Sequence, residues 1–209
     1  MKNEREMILK ELIEIKAIQV KPATPFTYAS GIHSPIYTDL RQTISFVNLR
    51  TQIANGLADL IKKEYPTATI IAGVATAGIP HAAFVANLLN LPMIYIRSKP
   101  KDHGAGNQIE GRVSKDDQVV LIDDLISTGG SVLKTVDAVR DSGAQVLGVT
   151  SIFNYELKDS EINFADRKVQ LSQLLKYTEL LNYLVKKEIL NSNSIGILKN
   201  WHQDPWNFK

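Results

Sequence analysis

Cysteine is absent from this 209-residue chain, which excludes disulfides, thiolate metal sites and a cysteine nucleophile. Long apolar runs are missing too: nothing approaches the roughly 20 apolar residues that a membrane-spanning helix needs. The first residues, Met1-Lys2-Asn3-Glu4-Arg5-Glu6, lead into an amphipathic stretch and not into an apolar signal core, so the expectation is a cytoplasmic chain with no membrane association. Charge of one sign is scarce. Lys and Arg number 24 against 22 Asp and Glu, a formal +2, and the basic residues are spread out, which gives no reason to expect nucleic-acid binding. No Gly-x-x-x-x-Gly-Lys-Ser/Thr occurs, and Gly104-Ala105-Gly106 precedes no strand-to-helix turn of the dinucleotide type. There is no internal repeat and no low-complexity tract. What remains is 44% hydrophobic and 22% charged, enough to bury a sizeable core, and residues 1–209 are expected to form a single domain.

The most informative stretch runs from Val119 to Ser131. Val119-Val120-Leu121-Ile122 reads as a strand buried on both faces, of the kind found inside a parallel sheet. The pattern then turns acidic at Asp123 and Asp124, which places them at the strand's carboxyl end, where open α/β sheets bind ligands. Leu125, Ile126, Ser127, Thr128, Gly129, Gly130 and Ser131 follow. Ser127 to Ser131 can turn successive backbone N–H groups toward one point, and the helix expected over 132–139 would aim its positive end there. A phosphate monoester fits such an end, but two carboxylates beside it would repel a bare phosphate. They suit neutral hydroxyls or a divalent cation, and a sugar phosphate satisfies both halves. The plain alternative is an Asp-capped helix after a buried strand.

Around this stretch, strand and helix patterns alternate. Met7, Ile8, Leu12, Ile13 and Ile15 recur at roughly helical spacing, and 36–38 suits a short strand. Residues 47–64 read as a long helix and 68–74 as a buried strand. A break at 76–80 precedes an alanine-rich helix over 81–89; strands are expected over 93–96, 118–123 and 145–153, with a helix ending near Ser142-Gly143. Beyond Leu157 the leucines, including Leu174 and Leu175, predict a helical packing appendage. This order is that of an α/β fold: a mostly parallel sheet with helices on both faces and small N-terminal and C-terminal appendages. The longest stretch without secondary-structure signal, about 99–115, lies between two strands and is rich in glycine and charge, which favours a lid.

The Val119–Ser131 stretch resembles the phosphoribosyl pyrophosphate signature of type I phosphoribosyltransferases. Arg97 to Gly111, with Lys101-Asp102-His103-Gly104 inside it, resembles the mobile catalytic loop of the orotate phosphoribosyltransferases, and Phe26 to Arg41 is similar to that family's amino-terminal substrate segment. The resemblance implies transfer of a phosphoribosyl group from phosphoribosyl pyrophosphate to orotate, a step of pyrimidine synthesis. Lys101 and His103 would close over the pyrophosphate, with Arg97 and Lys99 adding cationic contacts from the base of the loop. Asp123 and Asp124 would hold the ribose hydroxyls near a Mg2+ carried largely by the substrate, with no resident metal site. Leu125 to Ser131 would line the phosphate end, Ser127 also lying near orotate, and the 73–78 turn would offer backbone groups to pyrophosphate. The family's loop reaches a neighbouring subunit, which implies a homodimer with shared active sites.

Several positions depart from the family's pattern. Ala29 and Ala77 stand where many members carry lysine, Ser98 replaces a frequent lysine, and the Phe153-Asn154-Tyr155 region stands where an arginine often holds the orotate carboxylate. Arg41 is the candidate for that task. Two alternatives share the opening motif: a purine phosphoribosyltransferase, which would lack the Lys-Asp-His-Gly loop, and a non-catalytic nucleotide-sensing regulator, whose mark would be a concentrated basic patch.

Overall fold

The computed structural model describes residues 2–27, 33–99 and 108–208. Helix α1 (Lys2–Glu14) leads into an amino-terminal region of short strands: β1 (Ile18–Val20), β2 (Phe26–Thr27), β3 (His33–Ser34) and β4 (Ile36–Thr38). There β1 pairs with β4 and β2 with β3, both antiparallel. A 3-10 helix over Leu40–Ser45 then hands the chain to α2 (Val47–Glu64).

The central elements follow as β5 (Ile70–Val74), α3 (Gly78–Leu89), β6 (Met93–Ile96), β7 (Ile109–Glu110), β8 (Gln118–Ile126), α4 (Gly130–Asp141) and β9 (Gln145–Asn154). They are completed by α5 (Lys158–Asp166), β10 (Gln170–Lys176), α6 (Tyr177–Lys186) and α7 (Ser192–Gln203). The main sheet has the order β10-β9-β8-β5-β6-β7 and is parallel throughout, except that the short edge strand β7 runs antiparallel to β6. Both faces are covered, as a parallel sheet requires: α2 and α3 pack on one side, α4 and α5 on the other.

The apolar residues explain these choices. On α2, Leu49, Ile53, Leu57 and Ile61 recur every fourth position and are buried together. All five residues of β5 are buried, as are Val119 to Ile122 of β8. Two apolar layers result. One joins α1, α2, α3 and the carboxyl-terminal helices; the other joins Ile70, Val119, Leu121 and Val149 of the sheet to Val132, Val136 and Val139 of α4.

The alternating pattern, α2 and β6 follow the residues as read. Three features differ. Proline at position 80 does not delay α3, which starts at Gly78, because the first turn of a helix has no intrahelical use for its N–H groups. Strand β8 does not stop at the acids; pairing with β9 continues through Leu125↔Phe153 and Ile126↔Asn154, so Asp123 and Asp124 lie inside the strand. The segment beyond Leu157 is not wholly helical either. Leu171, Leu174 and Leu175 belong to β10, a sixth strand parallel to β9, and α6 and α7 form the carboxyl-terminal appendage. Their side of the core includes Tyr177 stacked on His202, with ring centroids 4.6 Å apart.

His81, in the first turns of α3, is fully buried, and neither ring nitrogen has a hydrogen-bond partner. Burial pushes its pKa down to about 4 from an ordinary 6.5. The unfolded chain therefore binds this proton at a higher pH than the folded one, so stability is lost as pH falls from about 6.5 through about 4. A His81→Leu substitution is expected to flatten that part of the stability–pH curve, measured by urea unfolding at a series of pH values.

Candidate active site

The carboxyl ends of β5, β6, β8 and β9 face one way because these strands are parallel, and the loops that leave them converge. After β8, Ser127, Thr128 and Gly129 form the turn into α4, with Gly129 at φ +78. A side chain there would meet Phe164 at 2.5 Å, so glycine satisfies both the left-handed backbone and the close approach of α5. Asn163 of α5 donates from Nδ2 to the Thr128 carbonyl at 2.9 Å, and the Tyr155 amide donates to the Ile126 carbonyl at 3.0 Å. The loop is thus held from two sides while Ser127, Gly130 and Ser131 stay exposed.

No side chain caps α4 and its first turn carries no acid. The amides of its first turn have no intrahelical acceptor, and with the helix dipole they form a site for an anion. The contrast with α7 is useful: there the Asn191 side chain accepts from the Ser194 amide. Helix α3 is also uncapped by any side chain and its first turn carries no acid. It lies against β8 so closely that a Cβ on Gly78 would stand 2.2 Å from the Ile122 carbonyl oxygen.

Beside the α4 end, Asp123 and Asp124 are both half-buried. The Asp124 amide donates to Asp123 Oδ1 at 2.9 Å. Burial, with Asp124 alongside, pushes Asp123 up to about 8, and burial raises Asp124 as well. Two desolvated acids side by side titrate as one unit and resist carrying two charges. Such a pair binds groups that restore what water supplied, either hydroxyls or a cation.

Of the other residues singled out in the sequence, Arg97 and Lys99 stand just after β6. The Arg97 amide donates to the Gln108 carbonyl at 3.0 Å, and Gln108 Nε2 donates to the Arg97 carbonyl at 2.7 Å. This reciprocal clamp brings the two flanks of 100–107 together at the edge of the sheet. The Arg97 guanidinium stands 3.7 Å from Glu110. Lys101 and His103, like Ala29, lie outside the described residues. Leu125 packs against the core, and Ile126 is buried with its carbonyl taken by Tyr155, so both shape the turn from below. Asn163 supports the site without having been legible as a site residue; Gln108 and Tyr155 lie in segments the sequence singled out, but the contacts through which they act are distant in sequence.

A family model for the phosphoribosyl transferase domain matches residues 48–174. The chain is 56% identical to the orotate phosphoribosyltransferase of Lactobacillus johnsonii over 97% of its own length and 95% of the relative's. The chain belongs to the phosphoribosyltransferase family. It is 55% identical to the orotate phosphoribosyltransferase of Levilactobacillus brevis, with 96% of each chain covered. Among solved structures, the phosphoribosyltransferase fold recurs in orotate phosphoribosyltransferase from Aeropyrum pernix, with TM-score 0.72, 25% identity, and 86% of this chain and 99% of that one covered. It also recurs in UMP synthase from Leishmania donovani, with TM-score 0.79 and 25% identity. There 94% of this chain is covered, spanning 42% of that longer one.

A phosphoribosyltransferase donor that brings Mg2+ with it would suit this donor set. Among the described residues no group of three or more His, Cys, Asp or Glu could hold a metal ion. Mg2+ is commonly held by one or two carboxylates together with substrate phosphates and water, and Asp123 with Asp124 supplies that share.

The raised acids carry a stability cost of definite sign. Above about pH 4 the unfolded chain has lost carboxyl protons that the folded Asp123–Asp124 pair, raised by burial, still holds, so stability falls as pH rises from there. Asp123→Asn is expected to shrink that fall in the ligand-free protein, the buried Asp124 keeping the remainder, as read by thermal unfolding between pH 4 and 8.

Proposed function

We propose that this phosphoribosyltransferase moves the phosphoribosyl group of phosphoribosyl pyrophosphate to orotate, giving orotidine 5′-monophosphate and pyrophosphate. The observation that carries the reading is the half-buried Asp123–Asp124 pair beside the uncapped start of α4. One half suits a polyhydroxylated sugar, the other a phosphate. The acceptor is taken from the relatives named above, more than half identical over nearly the full chain.

In this reading the turn from Ser127 to Ser131 binds the 5′-phosphate, and Asp123 and Asp124 accept hydrogen bonds from the ribose hydroxyls. The C–O bond to pyrophosphate breaks as the orotate ring nitrogen, giving up its proton, bonds to the same carbon; pyrophosphate leaves with the electron pair, and the proton passes to it or to solvent. Negative charge grows on the leaving group while positive charge grows on the ribose. Lys101 and His103, assisted by Arg97 and Lys99, stabilise the former, and the carboxylate pair the latter; both effects are largest in the transition state. Mg2+ arriving with the donor would neutralise pyrophosphate charge. We further assign residues 1–209 to one domain, a homodimer with shared sites as the working assembly, and the cytoplasm as its location. Among the described residues no helix is long and apolar enough to cross a membrane.

Incubating the protein with magnesium, phosphoribosyl pyrophosphate and one base at a time tests the assignment. Orotate absorbance is expected to fall and adenine, guanine and hypoxanthine to remain; turnover of a purine but not orotate would overturn it. Lys101→Ala is expected to lower kcat by about 100-fold or more, the scale of one lost transition-state contact, while the dissociation constant of orotate changes little. Equal losses in both would contradict a transition-state role.

A further inference from the structure

A second group of side chains stands at the same end of the sheet. The Tyr155 hydroxyl donates to Thr38 Oγ1 at 2.8 Å, tying the end of β4 to the chain just beyond β9. Asp39 follows, and then the 3-10 helix that packs against β8 and carries Arg41. Arg41 Nε donates to Asp39 Oδ1 at 2.6 Å, with the arginine side chain 65% exposed and the aspartate 19%. Among the described residues no acceptor engages the two terminal amino groups of Arg41. The guanidinium is therefore aimed by a fixed carboxylate and open at its far edge, and its charge reaches Asp124.

The same amino-terminal region carries two aromatic rings. Tyr37, the residue before Thr38, packs against Phe26 with ring centroids 5.5 Å apart, and the Lys21 ammonium lies 4.9 Å from the Phe26 ring centre. Two other cations of the described residues stand beside acids: Arg97 beside Glu110 and Lys176 beside Glu156, each at 3.7 Å. Asn154, at the end of β9, offers no charge; its amide donates to Gln173, and its oxygen accepts from the Glu156 amide.

Orotate differs from uracil by one carboxylate, and an anion entering beside two aspartates needs a cation with free donors. We propose that Arg41, aimed by Asp39, binds the orotate carboxylate through its two terminal amino groups and thereby selects orotate over uncharged pyrimidines. This rests on the reading of the acceptor as orotate. A planar fork matches a carboxylate in two parallel hydrogen bonds, and Asp39 acts as a positioning residue.

The test compares binding of orotidine 5′-monophosphate with that of uridine 5′-monophosphate, which lacks only the carboxylate, in the parent chain, Arg41→Ala, Arg41→Lys and Asp39→Asn. The KM for phosphoribosyl pyrophosphate is measured on the same preparations. The parent is expected to prefer the carboxylated nucleotide, and Arg41→Ala to weaken it by about 10- to 100-fold, the scale of a lost charge-assisted bidentate contact. Uridine monophosphate affinity and the donor's KM should hold within about 2-fold, since neither uses the contact. Arg41→Lys should keep part of the preference and Asp39→Asn should reduce it. Equal weakening of both nucleotides, a rise in the donor's KM in place of lost discrimination, or a parent without preference would overturn the proposal. A parent that fails to turn over orotate would overturn the functional reading itself, a separate outcome.

Discussion

The parallel pairing of β8 with β9 is the constraint on which the rest of the site depends. Because the register runs on to Ile126↔Asn154, two carboxylates are drawn into a strand that would otherwise end before them, and the phosphate-sized turn is set one residue beyond the last pair. The same register places Tyr155 against the Ile126 carbonyl, and through Tyr155 it fixes the end of β4 with its Asp39–Arg41 pair. Sheet hydrogen bonds spread over many residues thus hold in place groups that would repel one another if free.

The cost of this arrangement is visible in its titration. Asp123 and Asp124 are desolvated and adjacent, and both are pushed upward. His81 is buried with nothing to bond to. Folding tolerates these groups because two apolar layers cover both faces of the sheet, and a few destabilising side chains are small against that burial. Substrate hydroxyls that bond to the acid pair relieve part of the cost on binding.

The alternating α/β order was legible because most core strands are short continuous apolar runs and the helices carry a four-residue apolar repeat. Helix α2 and strand β6 match their sequence patterns to the residue. The end of β8 was not legible, since aspartate is a poor strand former and only the partner strand keeps it extended. Strand β10 was hidden for a related reason: Leu171, Leu174 and Leu175 among polar residues suit a helical period as well as a strand. At the site, the acids and the glycine turn announced themselves by local pattern. The Asn163, Gln108 and Tyr155 contacts join residues 11 to 117 positions apart, and no local pattern encodes them. The Asp39–Arg41 pair was visible as residues, but its approach to Asp124 exists only once the 3-10 helix packs on β8.

The central claim is that the turn from Ser127 to Ser131 and the adjoining acid pair form one sugar-phosphate cradle. Amide NMR of the ligand-free protein, titrated separately with ribose 5-phosphate and with ribose, tests it most directly. Saturable shifts concentrated on 123–132 with ribose 5-phosphate, and much weaker ones with ribose at equal concentration, are the predicted result. Shifts that bypass 127–131, or that are equal for the two ligands, would contradict it.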